Sequence, residues 1–425
     1  MSVEIEDIDP FSQLALSPAE TLAPSLELPC GVSLKNRFFK SAMNESLASV
    51  KNEPGELLIN LYRRWAEGGA GVLVTGNVMV DRAALGAPRS VALEDGRAFD
   101  QFVKWAQAGK QNNTHVWMQL NHPGKQVPKV LSSVPVAPSA IPLNPSLSRF
   151  FNQPRALLES EIEDIIQRFA KAASIAKKAG FTGVQIHGAH GYLVSQFLSA
   201  KHNQRTDKWG GNAVNRMRFV TEVYKAIRAE VGGQFPVSIK LNSADFQRGG
   251  FTEKESIDVV KALSDLGIDL LEISGGTYES PAMTGVKADS TRQREAYFLG
   301  YAEQVRRHCK APLVVTGGFR SAQAMGLAVS SGNTDMVGLA RPMSVDPDIP
   351  NKILAGEDYQ NILPVRKTGI GIIDKMAMLE VTWYERQLER IARGRAPKPN
   401  ESALGSLIKT MLGTGLQVYQ RQRSR

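Results

Sequence analysis

From about residue 26 onward, two patterns of apolar and polar residues alternate along the chain. One is a short run rich in β-branched and large apolar residues. The other is a longer segment whose apolar residues recur every three or four positions. The first pattern predicts a strand covered on both faces, the second a helix with one apolar face. Strands are expected near residues 38–43, 71–78, 115–120, 183–187, 235–241, 268–273, 312–316 and 334–339. Helices are expected near 56–67, 98–111, 160–179, 215–231, 252–266, 295–309 and 321–331, with a short one after Pro347. In the helix at 160–179, Ile162, Ile165, Ile166, Phe169 and Ala173 share a face; Ser160 is the expected N-cap, with Glu163 three residues on, and Gly180 the stop. Strand followed by helix, repeated eight times, is the α/β pattern of a parallel sheet. Eight units in this length predict a closed (β/α)8 TIM barrel, with an open doubly wound sheet as the alternative. The barrel is expected over residues 25–364 with an N-terminal β-hairpin, and residues 1–24, which hold Pro10, Pro18 and Pro24, as a mobile segment before it.

Residues 365–425 stand outside this count and read as a helical C-terminal extension. An amphipathic helix is expected over 376–393, and Leu404, Leu407, Ile408 and Met411 make an apolar stripe on a second. Both are read as packing on the barrel; an oligomer contact or a membrane surface are the other readings. The extension carries no motif of a barrel mouth and is expected to be dispensable for the chemistry. It does carry most of the charge. The chain has a net charge of +9, and residues 365–425 hold 12 basic and 5 acidic side chains, a surplus of 7. The barrel itself is near neutral, which argues against a nucleic-acid partner. No apolar run approaches the ~20 residues of a membrane span. Glu4, Glu6, Asp7 and Asp9 make the start acidic where a secretory leader is basic. Cys30 and Cys309 are too few for a disulfide framework or a metal cluster. These features predict a cytoplasmic protein with no metal and no stable membrane insertion.

Ligands of such barrels bind at the C-terminal ends of the strands. The fourth predicted strand ends in His187-Gly-Ala-His190-Gly-Tyr192. Two neutral imidazoles can donate to one oxygen and polarise a carbonyl, and a phenol beside them can supply a proton. The third strand ends at Gln119, whose amide suits the edge of a heterocycle. The fifth carries Lys240, which needs an anionic partner when buried, either a neighbouring carboxylate or an anionic ligand. The seventh runs into Thr316-Gly317-Gly318, and the eighth into Ala340-Arg341. Backbone N–H groups freed by glycine, together with an arginine, suit a phosphate dianion.

Taken together, these stretches resemble the Old Yellow Enzyme family over about residues 26–355. The most specific is GVQIHGAHGYLVSQFLSAKHNQRTDKWGG at 183–211; LKNRFFKSAM at 34–43, MQLNHPGKQ at 118–126, APSAI at 137–141, VTGGF at 315–319 and VGLARP at 337–342 support it. The resemblance implies tight, non-covalent FMN at the barrel mouth, with NADPH or NADH as hydride donor. Ala42, Met43 and Asn44 would meet the isoalloxazine ring, with Asn77 nearby. Gln119 would bond its pyrimidine edge, and Lys240 would face its N1/O2 side. Gly317, Gly318, Ala340 and Arg341 would hold the phosphate. His187 and His190 would grip the oxygen of an α,β-unsaturated carbonyl compound, and Tyr192 would protonate its α-carbon. The implied reaction is a ping-pong reduction of that C=C bond. A flavin barrel of another class, such as a tRNA-dihydrouridine synthase, and a redox-neutral isomerase of enones are the alternatives. The chain departs from the family pattern at Asn44, where Thr or Cys is usual, at Lys240, where Arg is commoner, and in its extension. Assembly into a homo-oligomer is left open.

Overall fold

The computed structural model describes residues 16–277, 279, 298–361, 363 and 378–409. Its centre is a ring of eight parallel strands: β1 Phe38–Lys40, β2 Val72–Val74, β3 His115–Asn121, β4 Gly183–Gly188, β5 Val237–Asn242, β6 Leu270–Ser274, β7 Leu313–Thr316 and β8 Met336–Leu339. Each pairs with the next, and β8 pairs back onto β1, with Leu339 beside Lys40. That last pairing closes the barrel and excludes the open sheet. Helices α1 Glu56–Glu67, α2 Phe99–Gly109, α3 Glu159–Lys178, α4 Ala213–Val231, α5 Glu253–Asp265, α6 Leu299–Arg306, α7 Ala322–Ser330 and α8 Ile349–Leu354 follow the strands in turn.

The side chains alternate as a barrel requires. Val184, Ile186, Val237, Ile239, Leu241, Leu271, Ile273, Leu313 and Val315 belong to the large core between strands and helices. The residues between them face inward. At the lower end, Phe39, Val72, Val74, Trp117, Leu270, Val314 and Met336 form a separate apolar plug. The hairpin Leu26–Glu27 with Ser33–Leu34 closes it from below, adding Leu26, Leu28 and Leu34 to the same cluster. Each such buried side chain contributes roughly 1.5–3 kcal/mol.

One level higher the interior turns polar. Glu272 is fully buried; its Oε1 lies 3.0 Å from Lys240 Nζ and accepts from Thr316 Oγ1 at 2.7 Å, and its Oε2 accepts from Gln185 Nε2 at 2.9 Å. Gln185 Oε1 in turn accepts from Gln119 Nε2 at 2.8 Å, and Ser41 Oγ lies 2.8 Å from Thr316 Oγ1. Side chains from five strands, with Ser41 just after β1, thus form one network around this carboxylate. Of the two partners open to Lys240, a carboxylate is present within the fold.

Three local expectations change. The strand expected at 71–78 stops at Val74 and resumes as the separate short strand Val78–Met79. Glu45 causes the break: its Oε1 takes the Gly76 N–H at 2.8 Å, away from the sheet ladder. Helix α3 begins one residue early. Glu161, not Ser160 with Glu163, caps it, accepting the Leu158 N–H at 2.8 Å while paired with Arg155. Residues 18–22, within the segment expected to be mobile, form the helix Pro18–Leu22, started by a Ser17–Glu20 capping box and anchored by buried Leu22. Residues 1–15 of that segment, 295–297 of the sixth predicted helix, and Met411 lie outside the described residues.

In the extension, α9 Met378–Ala392 packs on the barrel, with Leu388, Ile391 and Ala392 joining the main core and Leu379 and Trp383 buried. The second stripe is seated less deeply. In residues 403–409 Ala403 and Ser406 are buried, Leu404 and Leu407 half-buried, and Ile408 exposed.

The polar level predicts the response to losing its centre. Glu272→Leu strands Lys240 without a counter-charge and should lower unfolding stability by ~3–5 kcal/mol. The double variant Glu272→Leu/Lys240→Met should recover most of that loss. Urea unfolding of the three proteins measures it; a single variant as stable as the parent would mean that the pair is not held as a buried couple.

Candidate active site at the mouth of the barrel

His187 is the fifth residue of β4, on the inward side next to Lys240 in the β5 register. The chain then turns sharply. His190 takes φ +63, a left-handed conformation that costs a branched or ringed side chain roughly 1–3 kcal/mol and clusters at functional sites. Three contacts hold it there. Its N–H donates to Asn242 Oδ1 at the end of β5 (3.3 Å), its Nε2 lies 2.9 Å from Ser274 Oγ at the end of β6, and its carbonyl accepts from Gln126 Nε2 in the loop after β3 (3.1 Å). Tyr192 is the N-cap residue of the helix Leu193–Leu198.

The turn brings three rings together. The His187 and His190 centroids lie 5.1 Å apart, and those of His187 and Tyr192 4.9 Å apart, both pairs edge-on. Burial depresses both imidazoles well below the ordinary histidine range; His190 and Lys240 add to this at His187, and Lys240 at His190. Both rings are therefore neutral at physiological pH. His187 Nδ1 accepts the Ala189 N–H at 3.3 Å, which leaves Nε2 as its N–H donor. Among the described residues no group of three or more His, Cys, Asp or Glu could hold a metal ion.

The break in the second strand matters here. It sets Asn77 in the gap, where Nδ2 reaches Tyr192 Oη at 3.5 Å. Asn77 Oδ1 is buried with no hydrogen-bond partner. An unsatisfied buried carbonyl costs about 1–3 kcal/mol and calls for a ligand donor. Gly317 and Gly318 sit at φ +113 and +94, backbone that side chains rarely adopt, and a Cβ at Gly317 would meet Phe298 at 3.8 Å. Ala340 precedes the short 3-10 turn Arg341–Ser344 at the end of β8. Met43 is buried and Ala42 half-buried beyond β1. An orphaned acceptor after β2, glycine N–H groups after β7 with an arginine after β8, and Gln119 and Lys240 on β3 and β5 fit a flat polar heterocycle carrying a phosphate.

Several of the residues that complete this arrangement escaped the sequence reading. Glu272 and Gln185 had a signal, a polar residue at an inward position of an otherwise apolar strand. Glu380 and Glu385 had none. Both lie on α9, expected to stand apart from the mouth, and both reach it. Glu385 Oε1 accepts from Asn44 Nδ2 and from Ser46 Oγ, each at 2.8 Å, and Glu380 Oε2 lies 3.8 Å from Arg341 Nη1. Burial lifts the Glu385 carboxyl to about 7 against the pull of its hydrogen bonds from Ser46 and Asn44.

Residues 29–360 match the NADH:flavin oxidoreductase / NADH oxidase family. The chain belongs to that family, the family of the old yellow enzymes. It is 38% identical over 406 residues to the NADH-dependent flavin oxidoreductase iccE of Talaromyces variabilis, a match covering 88% of this chain and 98% of the relative. It is 40% identical over 352 residues to the NADH-dependent flavin oxidoreductase iliE of Neonectria sp. (strain DH2), covering 76% of this chain but only 46% of the relative. The solved old yellow enzyme homologue from Zymomonas mobilis superposes with a TM-score of 0.67 at 25% identity, covering 80% of this chain and 95% of that one. As a member of the Old Yellow Enzyme family the chain is an oxidoreductase working with FMN and a nicotinamide coenzyme. Among the described residues no helix is long and apolar enough to cross a membrane.

The site makes a spectroscopic prediction. His187 and His190 should show neutral-imidazole ¹⁵N signals that do not move between about pH 5 and 8, the range in which a free histidine titrates. A signal from either ring titrating near 6.5 would contradict the burial that keeps the pair neutral.

Proposed function

We propose that the enzyme reduces the C=C bond of α,β-unsaturated carbonyl compounds. The observation that carries this reading is the cluster of His187, His190 and Tyr192: two neutral N–H donors and a phenol, edge to edge at the end of one strand. Bound FMN supplies the redox chemistry, accepting hydride from NADH or NADPH and delivering it to the β-carbon. The names of the relatives favour NADH.

The chain's own residues supply the rest. His187 Nε2–H and the imidazole N–H of His190 take the substrate oxygen between them and stabilise the negative charge that gathers there as the β-carbon is reduced. Because both rings are neutral, they donate hydrogen bonds without giving up a full proton. Tyr192 Oη–H passes its proton to the α-carbon, and solvent restores it. Asn77, bonded to Tyr192 Oη, orients the phenol. Gln119 and Lys240 would hold the pyrimidine side of the cofactor, and Ala42, Met43 and Asn44 would contact its ring. Gly317, Gly318, Ala340 and Arg341 hold its phosphate. The polar level around Glu272 fixes Gln119 and Lys240 from below. Both cysteines, Cys30 and Cys309, are unpaired, which fits a cytoplasmic enzyme.

Stopped-flow absorbance separates the two half-reactions. Tyr192→Phe should leave reduction of the flavin by NADH nearly unchanged and slow its reoxidation by an enone by ~10²–10⁴-fold, the usual cost of losing a general acid. Equal slowing of both halves would assign Tyr192 a structural role; no slowing of either would mean that another group brings the proton.

A further inference from the structure

Helix α9 lies beyond residues 29–360, the stretch that matches the family. Even so, it touches the candidate cofactor site at two places. Glu380 approaches Arg341 at the phosphate end, and Glu385 sits under Asn44 at the ring end. The second contact is a closed triangle. Glu385 Oε1 accepts from Asn44 Nδ2 and from Ser46 Oγ, both at 2.8 Å, and Asn44 Nδ2 lies 3.0 Å from Ser46 Oγ. Ser46 is held at φ +52, a left-handed conformation, so the segment after β1 bends to bring both polar side chains onto the carboxyl. The helix is fixed independently of this contact, through Leu388, Ile391 and Ala392 in the core and through Gln387, which bonds Glu401 at 3.2 Å. Glu385 is 9% exposed and takes both donors on Oε1, which holds that oxygen in place.

The triangle decides which end of the Asn44 amide is anchored. An amide has two donor hydrogens on Nδ2 and an acceptor at Oδ1. Glu385 Oε1 and Ser46 Oγ lie on the same side of Nδ2 and hold that end of the amide, and turning the amide over would bring Oδ1 against the Glu385 oxygen. Asn44 stands where the family usually has Thr or Cys, both able to donate a hydrogen. Here the anchored amide adds an acceptor, Oδ1, at that position.

We propose that α9 forms a wall of the flavin site and that Glu385 is a positioning residue within it, orienting the Asn44 carboxamide so that its oxygen is the atom presented to the isoalloxazine. The proposal rests on the reading that Asn44 meets the flavin ring. The extension, by its position, then takes part in setting how tightly the cofactor is held and how readily it is reduced. Glu380 acts at the other end of the same helix by steadying Arg341.

Two measurements on the holoenzyme test this: the FMN dissociation constant and the midpoint potential of the bound flavin. Both are taken for the parent, Asn44→Ala, Glu385→Leu, Glu385→Gln and the double variant Asn44→Ala/Glu385→Leu. Asn44→Ala and Glu385→Leu should each weaken FMN binding by about tenfold, the loss of one hydrogen bond to a charged or buried partner. Each should also move the potential, and the double variant should go no further than Asn44→Ala alone. Glu385→Gln keeps an acceptor in the same place and should stay within about threefold of the parent. If Glu385→Leu gives no folded protein, Ser46→Ala takes its place, since it removes two of the triangle's three contacts and should move the potential in the same direction. Additive effects in the double variant, or a Glu385→Leu enzyme with the parent's affinity and potential while Asn44→Ala changes both, would overturn the role of Glu385. An Asn44→Ala enzyme unchanged in both would overturn the reading beneath it, and the proposal with it.

Discussion

A carboxylate with no exposed surface must find its donors inside the fold, and Glu272 finds three, from Lys240, Gln185 and Thr316. Each comes from a different strand, so their meeting requires that the barrel be closed and in register. In return the carboxylate holds Gln185, and through it Gln119, at a fixed height above the apolar plug. Buried ion pairs are poor sources of net stability, because desolvation offsets most of the attraction. What this one provides is position. Two residues that face the mouth, Lys240 and Gln119, inherit their placement from a group that never reaches solvent.

The mouth above that level is built by strain held in place. His190 sits in a conformation unfavourable for its type, and the ends of β5 and β6, with Gln126, keep it there. The benefit is a pair of rings at right angles, both neutral because burial and the nearby Lys240 disfavour a further positive charge. A neutral donor pair suits an oxygen that becomes negative during reaction, since its hydrogen bonds strengthen as charge accumulates. The same Lys240 therefore serves twice, as the partner of Glu272 and as a cation that adds to burial in disfavouring charge on the imidazoles.

Much of this was legible in the sequence for one physical reason: strands covered on both faces and helices covered on one leave distinct periodicities, and the alternation of the two counts the barrel units. The sequential cluster of His187, His190 and Tyr192 was legible because a tight turn keeps neighbours in sequence neighbours in space. The rest depends on contacts between distant segments. Glu45 breaks the second strand from some thirty residues away. Glu161 captures the start of α3 because Arg155 is already beside it. Glu385 meets Asn44 across 341 residues of sequence. Nothing in an amphipathic helix of mixed charge distinguishes the glutamate that will be buried from those left in water, so the extension read as separate from the site it adjoins.

The proposed chemistry requires one arrangement, a flavin lying beside a neutral histidine pair that accepts an anionic oxygen. Titrating the purified protein with a para-substituted phenol, followed by visible absorbance, addresses both parts at once. A phenolate gripped by His187 and His190 and stacked on the flavin should produce a saturable long-wavelength charge-transfer band, absent from His187→Ala and His190→Ala proteins that still carry flavin. A flavin-loaded parent protein that shows no such band, or a band of equal strength in both histidine variants, would contradict the placement of the oxyanion site over the cofactor.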